Sequence, residues 1–339
     1  MIQTTRRAAL AGGFLLMAPA TLRAQPRPPA GRLAAGLERA AETPGLRSLI
    51  VAQHGMPVLE RVFRGGGLDR PTNIKSASKT ILAMLAGIAI ERGVLEGLDQ
   101  PVAPILASRI PREADPAVRR ITLGHLLSMQ AGLEPTSGAN YGRWVSSRDW
   151  VGFALGRPMV DEPGGRMLYS TGTSHILSAV LARASRRSVR DLAQDWLFRP
   201  LGHNVPEWTR DPQGLHFGGN EMALSPQALL DFGECCRNGG RHAGRQVIPE
   251  EFLRQAWVPR GQSAWSGQRY GLGWWIAEAR GQTVFFAWGY GGQMLYLLPA
   301  LGLTVVMTSD ADVPRVRGQV QTRHALLVEG ILPAFTEGA

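Results

Sequence analysis

The chain has 339 residues, enough for one large domain or two closely packed ones, and 44% of them are hydrophobic, which excludes disorder over most of the length. Its net charge is +10, but the arginines are scattered (Arg109, Arg112, Arg119, Arg120, Arg186, Arg187, Arg190) and no basic run alternates with aromatics. A nucleic-acid groove is therefore excluded, and the charge reads as solvated surface.

Taken in chain order, Arg6-Arg7 and the apolar run Ala8 to Ala20 predict an export signal over residues 1–25, of the twin-arginine type. Cleavage is expected after Ala20 or Ala24, and the mature chain is expected to be periplasmic or secreted. The run is too short for a comfortable membrane span, and no later stretch is long enough for one, so no stable membrane span is expected once the signal is removed. Residues 26–32, rich in proline, read as a linker. Leu33–Ala41 predicts a short amphipathic helix. Ser48–Ala52 and Val58–Phe63, flanking His54-Gly55-Met56-Pro57, predict a β-hairpin.

Ser76–Arg92 is the strongest helix, closed by Gly93. Its apolar positions Ile81, Leu82, Met84, Leu85, Ile88 and Ala89 run almost all round, which predicts deep burial. Leu123–Met129 reads as another helix. Residues 131–165 are rich in Gly and Pro and predict a long loop, a place where function concentrates. Helical patterns return at Ser174–Arg186, Val189–Leu197 and Pro226–Arg237. Cys235 and Cys236 lie on the last of these. Adjacent cysteines rarely bridge each other, and with no histidine nearby they make a poor zinc site, so they read as two small buried side chains.

The period then changes. Gly271–Ile276, Thr283–Ala287, Gln293–Leu298 and Leu303–Met307 predict an antiparallel meander, followed by a helix over Val316–Ile331. Strands at both ends with helices between them predict an α/β (α+β) chain. It is read as a single domain over 33–335, with a sheet part at about 33–75 and 265–335 and a helical part at about 76–264.

The chemistry centres on Ser76-Ala77-Ser78-Lys79. Residues three apart share a helix face, so Ser76 and Lys79 meet one turn apart, whereas Ser78 cannot use Lys79 well. A serine hydroxyl becomes a nucleophile when a neighbouring base takes its proton, and a lysine can be that base if burial lowers its pKa. The four-residue pattern alone is common, and an N-cap serine with a solvated lysine would also produce it. A lysine one turn into an apolar helix, however, is expensive without a role. At a helix start the Ser76 N–H can supply half of an oxyanion hole. No Gly-x-Ser-x-Gly elbow, phosphate loop or metal-like histidine spacing occurs. His125 reads as a core residue and His175 has no evident partner. Trp144, Trp150, Trp208, Trp265, Trp274 and Trp275 read as core or pocket wall.

The segment Asn73-Ile-Lys-Ser-Ala-Ser-Lys79 resembles the first motif of the serine β-lactamase and penicillin-binding-protein superfamily. Ile121–Ser128 with Ala131-Gly132-Leu133, and Tyr270-Gly-Leu-Gly-Trp274, are similar to segments of its class C β-lactamase and esterase branch. The resemblance runs in order from about residue 35 to 330. It implies a β-lactamase/transpeptidase-like fold, an antiparallel sheet flanked by helices with a mostly helical insertion.

In that branch the second motif is Tyr-x-Asn, and Tyr169-Ser170-Thr171 stands in its place. The resemblance implies that Tyr169 hydrogen-bonds the nucleophile and shuttles its proton. Thr171 replaces the amide with a single donor, which puts β-lactam recognition in doubt. The third motif, Lys-Thr-Gly or His-x-Gly, is missing. Trp288-Gly-Tyr-Gly-Gly-Gln293 occupies its place, so the resemblance implies a second oxyanion donor at the Gln293 N–H and a substrate edge formed by Thr171, Trp288, Tyr290, Gly291 and Gly292. Trp288 and Tyr290 could equally pack as core. The Gly-Gly-Gln form, with Tyr169–Thr173 and Pro200-Leu-Gly202 before Trp208, is most similar to the 6-aminohexanoate-dimer hydrolase and carboxylesterase subgroup.

The expected activity is therefore hydrolysis of a small-molecule ester or amide through an acyl-enzyme on Ser76, with Lys79 and Tyr169 moving the proton and with no metal or organic cofactor. A β-lactamase or D-Ala-D-Ala carboxypeptidase, and a non-catalytic binding protein of the same fold, are the alternative readings.

Overall fold

Successive side chains of a strand point to opposite faces, and here both faces are buried, which is why the central strands are apolar throughout. The computed structural model describes residues 30–311 and 319–336. The expected export signal and residues 26–29 of the expected linker lie outside them. Eight strands form one antiparallel sheet: β1 (Leu46–Gln53), β2 (Met56–Val62), β3 (Gly261–Gln262), β4 (Arg269–Tyr270), β5 (Trp275–Ala279), β6 (Gln282–Gly289), β7 (Gln293–Leu298) and β8 (Leu303–Ser309). Their spatial order is β2-β1-β8-β7-β6-β5-β4-β3. In register, Ile50 faces Val306, which faces Leu295, while Val51 faces Val305, which faces Tyr296. The first row joins the inner core under the helical half and the second joins an outer core.

The inner face is covered by α2 (Ser78–Glu91) and α4 (Pro226–Arg237). Ile81, Leu82, Met84 and Leu85 of α2 are fully buried, each contributing about 1.5–3 kcal/mol of apolar burial. Gly87 lets α2 press against Phe252, whose ring would lie 2.2 Å from a Cβ at that position. The outer face is covered by α1 (Ala30–Glu42) and by α5 (Gln319–Ala325), which continues as a π-turn over Leu326–Ile331. The two ends meet backbone to backbone, since a Cβ at Gly36 would sit 2.3 Å from the Gly330 carbonyl oxygen.

Several boundaries differ from the sequence expectation, for local reasons. Residues 30–32 belong to α1, not to a linker. Of the expected strand Gly271–Ile276, residues 271–274 are instead a turn between β4 and β5, and Trp275 and Ile276 begin β5. Gly273 adopts φ +77° there, its N–H donates to the Leu127 carbonyl, and its carbonyl accepts from Thr80 Oγ1 at 2.6 Å. The long loop contains the helices Tyr141–Val145 and Trp150–Leu155, and Trp144 and Trp150 are core residues. His125 is half-buried and caps the helix Leu123–Leu127, its Nδ1 accepting the Thr122 N–H at 3.2 Å, so it is not a core residue. The helix α3 (Thr171–Ser185) starts three residues earlier than its apolar pattern, because Ser170 caps it. Cys235 and Cys236 are buried, unbridged side chains on α4. The expected last helix is described from Gln319; residues 316–318 lie outside the described part. No helix among the described residues is long and apolar enough to cross a membrane.

Candidate active site

A strained turn delivers Ser76. Two-residue strands at Thr72–Asn73 and Ala223–Leu224 pair with each other, and the Ile74 N–H donates to the Met222 carbonyl. Lys75 then adopts φ +50°, a conformation costing about 1–3 kcal/mol for a non-glycine residue. Its N–H donates to Asn73 Oδ1 at 2.9 Å, and its ammonium pairs with Glu221 at 2.8 Å. Asn73 also donates to Glu221, at 2.6 Å. The clamp sets a single 3-10 turn, Lys75–Ala77, from which α2 begins, so Ser76 is partly open to solvent while Lys79 is 4% exposed.

Of the 37 basic residues only Lys75 and Lys79 are lysines, the side chains that can lose a proton near neutrality. Lys79 Nζ lies 3.0 Å from Ser76 Oγ, 2.7 Å from the Gly219 carbonyl oxygen and 3.3 Å from Thr171 Oγ1. All three partners are uncharged. Burial lowers its pKa to about 7. As a neutral amine it directs its two hydrogens at Gly219 and Thr171 and its lone pair at the Ser76 hydroxyl, the arrangement of a general base. Tyr169 lies beside Ser76, and Lys79 Nζ stands 5.1 Å from its ring centre. Burial pushes the phenol up to about 12 against the opposing influence of the Ser76 side chain, so Tyr169 is a neutral phenol at neutral pH and not a phenolate.

The loop and the segment after Asp211 hold this cluster. The Thr171 N–H donates to Ser137 Oγ at 3.0 Å, and the two hydroxyls lie 3.1 Å apart. Thr171 is 5% exposed, and its Oγ1 lies 3.3 Å from Lys79 Nζ, so it borders the lysine. Gly219, at φ +78°, leaves room that a Cβ would fill at 2.7 Å from Lys79 Cγ. Its neighbour Gly218 donates its N–H to His175 Nδ1 at 3.1 Å, which leaves the His175 proton on Nε2, 3.0 Å from Asp211 Oδ2. Both side chains are fully buried. Burial pushes the Asp211 carboxyl up, but hydrogen bonds from His175 and the Leu215 and Gln213 N–H groups outweigh it and hold it below the usual carboxylate range.

The opposite wall is the end of β6. A Cβ at Gly289 would lie 2.1 Å from the Ile74 carbonyl oxygen, so the glycine lets the strand end press on the turn before Ser76. Tyr290 follows, 44% exposed at the rim. Gly291 and Gly292 are buried, packed against Ala311 and Arg323, so close packing requires them. Gln293 is fully buried, and its amide holds the Ser309 backbone at both ends (2.7 and 3.0 Å). With no exposed surface, its N–H cannot meet a substrate oxygen, which corrects the oxyanion assignment. Trp288 is half-buried beside Trp275 and Trp265. Among the described residues no group of three or more His, Cys, Asp or Glu side chains is placed to hold a metal ion.

The family model for beta-lactamases matches residues 32–329. The chain belongs to the beta-lactamase family. Solved structures of similar fold include a protein assigned as a 6-aminohexanoate-dimer hydrolase from Bacillus anthracis, at 17% identity and TM-score 0.72, covering 86% of this chain and 80% of that one. EstCE1, a hydrolase with promiscuous acyltransferase activity, is 19% identical with TM-score 0.70, over 88% of this chain and 98% of that one. A D-stereospecific amidohydrolase from Streptomyces is 18% identical with TM-score 0.68, over 92% of this chain and all of the other. No curated protein matches. Members of the beta-lactamase family are mostly serine hydrolases. The lysine of the family's third motif has no counterpart here, since both lysines of the chain flank Ser76.

Reading motifs along the chain missed Ser137, Gly219, Glu221 and the Asp211–His175 pair. Their contacts join segments 34 to 146 residues apart. The doubled glycine at 218–219 was the one available signal.

Proposed function

We propose that the chain hydrolyses carboxylic esters or simple amides through an acyl-enzyme on Ser76. The observation that carries this reading is Lys79 Nζ, buried among uncharged partners 3.0 Å from Ser76 Oγ. Ser76 Oγ attacks the substrate carbonyl carbon and its proton passes to Lys79. The oxyanion is held by the Ser76 N–H, with a second donor from the turn that follows Gly289. As the C–O or C–N bond breaks, Tyr169 gives its proton to the leaving atom and is reprotonated by the Lys79 ammonium. Water then attacks the acyl carbon, its proton passing to Lys79; the bond to Ser76 Oγ breaks, the Lys79 ammonium returns that proton to Ser76 Oγ, and the carboxylic acid leaves. Without the third-motif lysine nothing comparable grips a β-lactam or peptide carboxylate, so neutral esters and amides fit better. The Arg6-Arg7 segment and its apolar run support action outside the cytoplasm.

The test is intact-mass analysis after incubation with a fluorophosphonate, on the wild type and Ser76→Ala. One adduct on the wild type and none on the variant is expected. A folded wild type that takes no adduct would overturn the hydrolase reading in favour of a binding protein of this fold. Turnover of a cephalosporin at rates matching simple esters would move the assignment to a β-lactamase.

A further inference from the structure

Four aromatic rings from separate segments form a continuous surface that leaves the candidate site. Tyr169, beside Ser76, lies 5.5 Å from Trp275 (ring centres). Trp275 lies 5.5 Å from Trp288, and both touch Trp265, at 5.8 and 5.1 Å. Trp275 is buried at the base, whereas Trp265 is 61% exposed on the connection between β3 and β4. Its ring meets Trp275 at 74° and Trp288 at 54°, so the rings form facets and do not stack with their faces covered. Trp265 thus contributes little to the core, and most of its ring is open to solvent.

We propose that Trp265, Trp275 and Trp288 form a subsite for an uncharged aromatic group on the alcohol arm of the substrate ester; this rests on the acyl-enzyme reading above. The side is set by proton transfer. Tyr169 donates to the leaving oxygen, so the leaving arm lies on the Tyr169 side of the scissile bond, and the three tryptophans continue from Tyr169 in that direction. The chemistry is set by the surface itself. Indole faces give large, rigid apolar contact and favour offset or edge contacts with another ring.

The experiment compares kcat/KM of the wild type, Trp265→Ala and Trp265→Phe on three esters: ethyl acetate, 2-(2-naphthyl)ethyl acetate and ethyl 3-(2-naphthyl)propanoate. The two acetates have similar leaving groups, so their ratio isolates the arm. Trp265→Ala is expected to lose roughly 10-fold on the naphthylethyl acetate, with Trp265→Phe in between and ethyl acetate changed by less than about twofold. Equal loss on both acetates, or no change on either, overturns the subsite. A loss as large on the naphthylpropanoate overturns its assignment to the alcohol arm. Turnover of both acetates with no effect of Trp265 on the naphthylethyl acetate sinks this inference alone. A wild type that neither turns over any of the three esters nor takes a phosphonate on Ser76 sinks the hydrolase reading and the subsite with it.

Discussion

Each face of the sheet buries a cation, and the two do different things. Under the inner face, Lys79 of α2 meets three uncharged partners and has its pKa lowered to about 7. On the outer face, Arg323 of α5 is 1% exposed and donates to the Pro44 carbonyl at 2.7 Å and to Ser309 Oγ at 3.1 Å. Burial disfavours charge in both places. A guanidinium cannot shed its proton in a protein, so Arg323 can only brace; an amine can, so Lys79 can take part in proton transfer. Burial makes a reactive group only where the side chain has a neutral form to fall back on.

Exchanging the chemistry should break that contrast. Lys79→Arg keeps the charge but removes the base, and kcat/KM should fall on the order of 10³-fold or more. Retention of a tenth of the activity would remove Lys79 as the base. The pH dependence sharpens the same point. Lys79 must be neutral to accept a proton, so kcat/KM should be flat above about pH 7 and fall tenfold per unit below it. A profile flat from pH 5 to 9 would contradict this.

His175 tests whether the inner face holds its lysine through the backbone. His175→Leu leaves the Gly218 N–H and Asp211 Oδ2 without their partner, freeing Gly219 to shift and water to reach Lys79. Activity should drop about 10- to 100-fold, and the acid limb should move to higher pH as the lysine regains its ordinary basicity. His175→Gln, whose amide can mimic both bonds, should recover part of each effect. An unchanged limb with lowered stability would reduce His175 to a packing residue. The smallest effect on catalysis is expected on the outer face. Arg323→Met should cost about 2–4 kcal/mol of stability, seen as a lower thermal midpoint, with kcat/KM per folded molecule unchanged.

What the sequence disclosed followed the range of the interactions. Ser76 and Lys79 are one helical turn apart, and the β1–β2 hairpin and the β6–β8 meander are neighbours in the chain, so local period and spacing carried them. Tyr169 came from a motif resemblance, because nothing local ties it to Ser76. The Asp211–His175–Gly218 chain was invisible: each member is unremarkable alone, and only folding brings them together. The short helices around Trp144 and Trp150 were missed because the surrounding Gly and Pro signal turns, although the two tryptophans themselves read as core or pocket wall and are buried. Gln293 failed for the converse reason. Its place after two glycines suggested an open strand edge, but Ser309 uses its amide and the chain buries it.

The hydrogen bond between Ser48 of β1 and Thr308 of β8 spans 260 residues. During synthesis, at 5–20 residues per second, the free edge of β1 therefore waits roughly 15–50 s for the strand that covers it. An uncovered apolar strand edge is a template for pairing with another copy. Chains ending before residue 303 are thus expected to aggregate and not to fold into a smaller domain, which light scattering of such truncations would show.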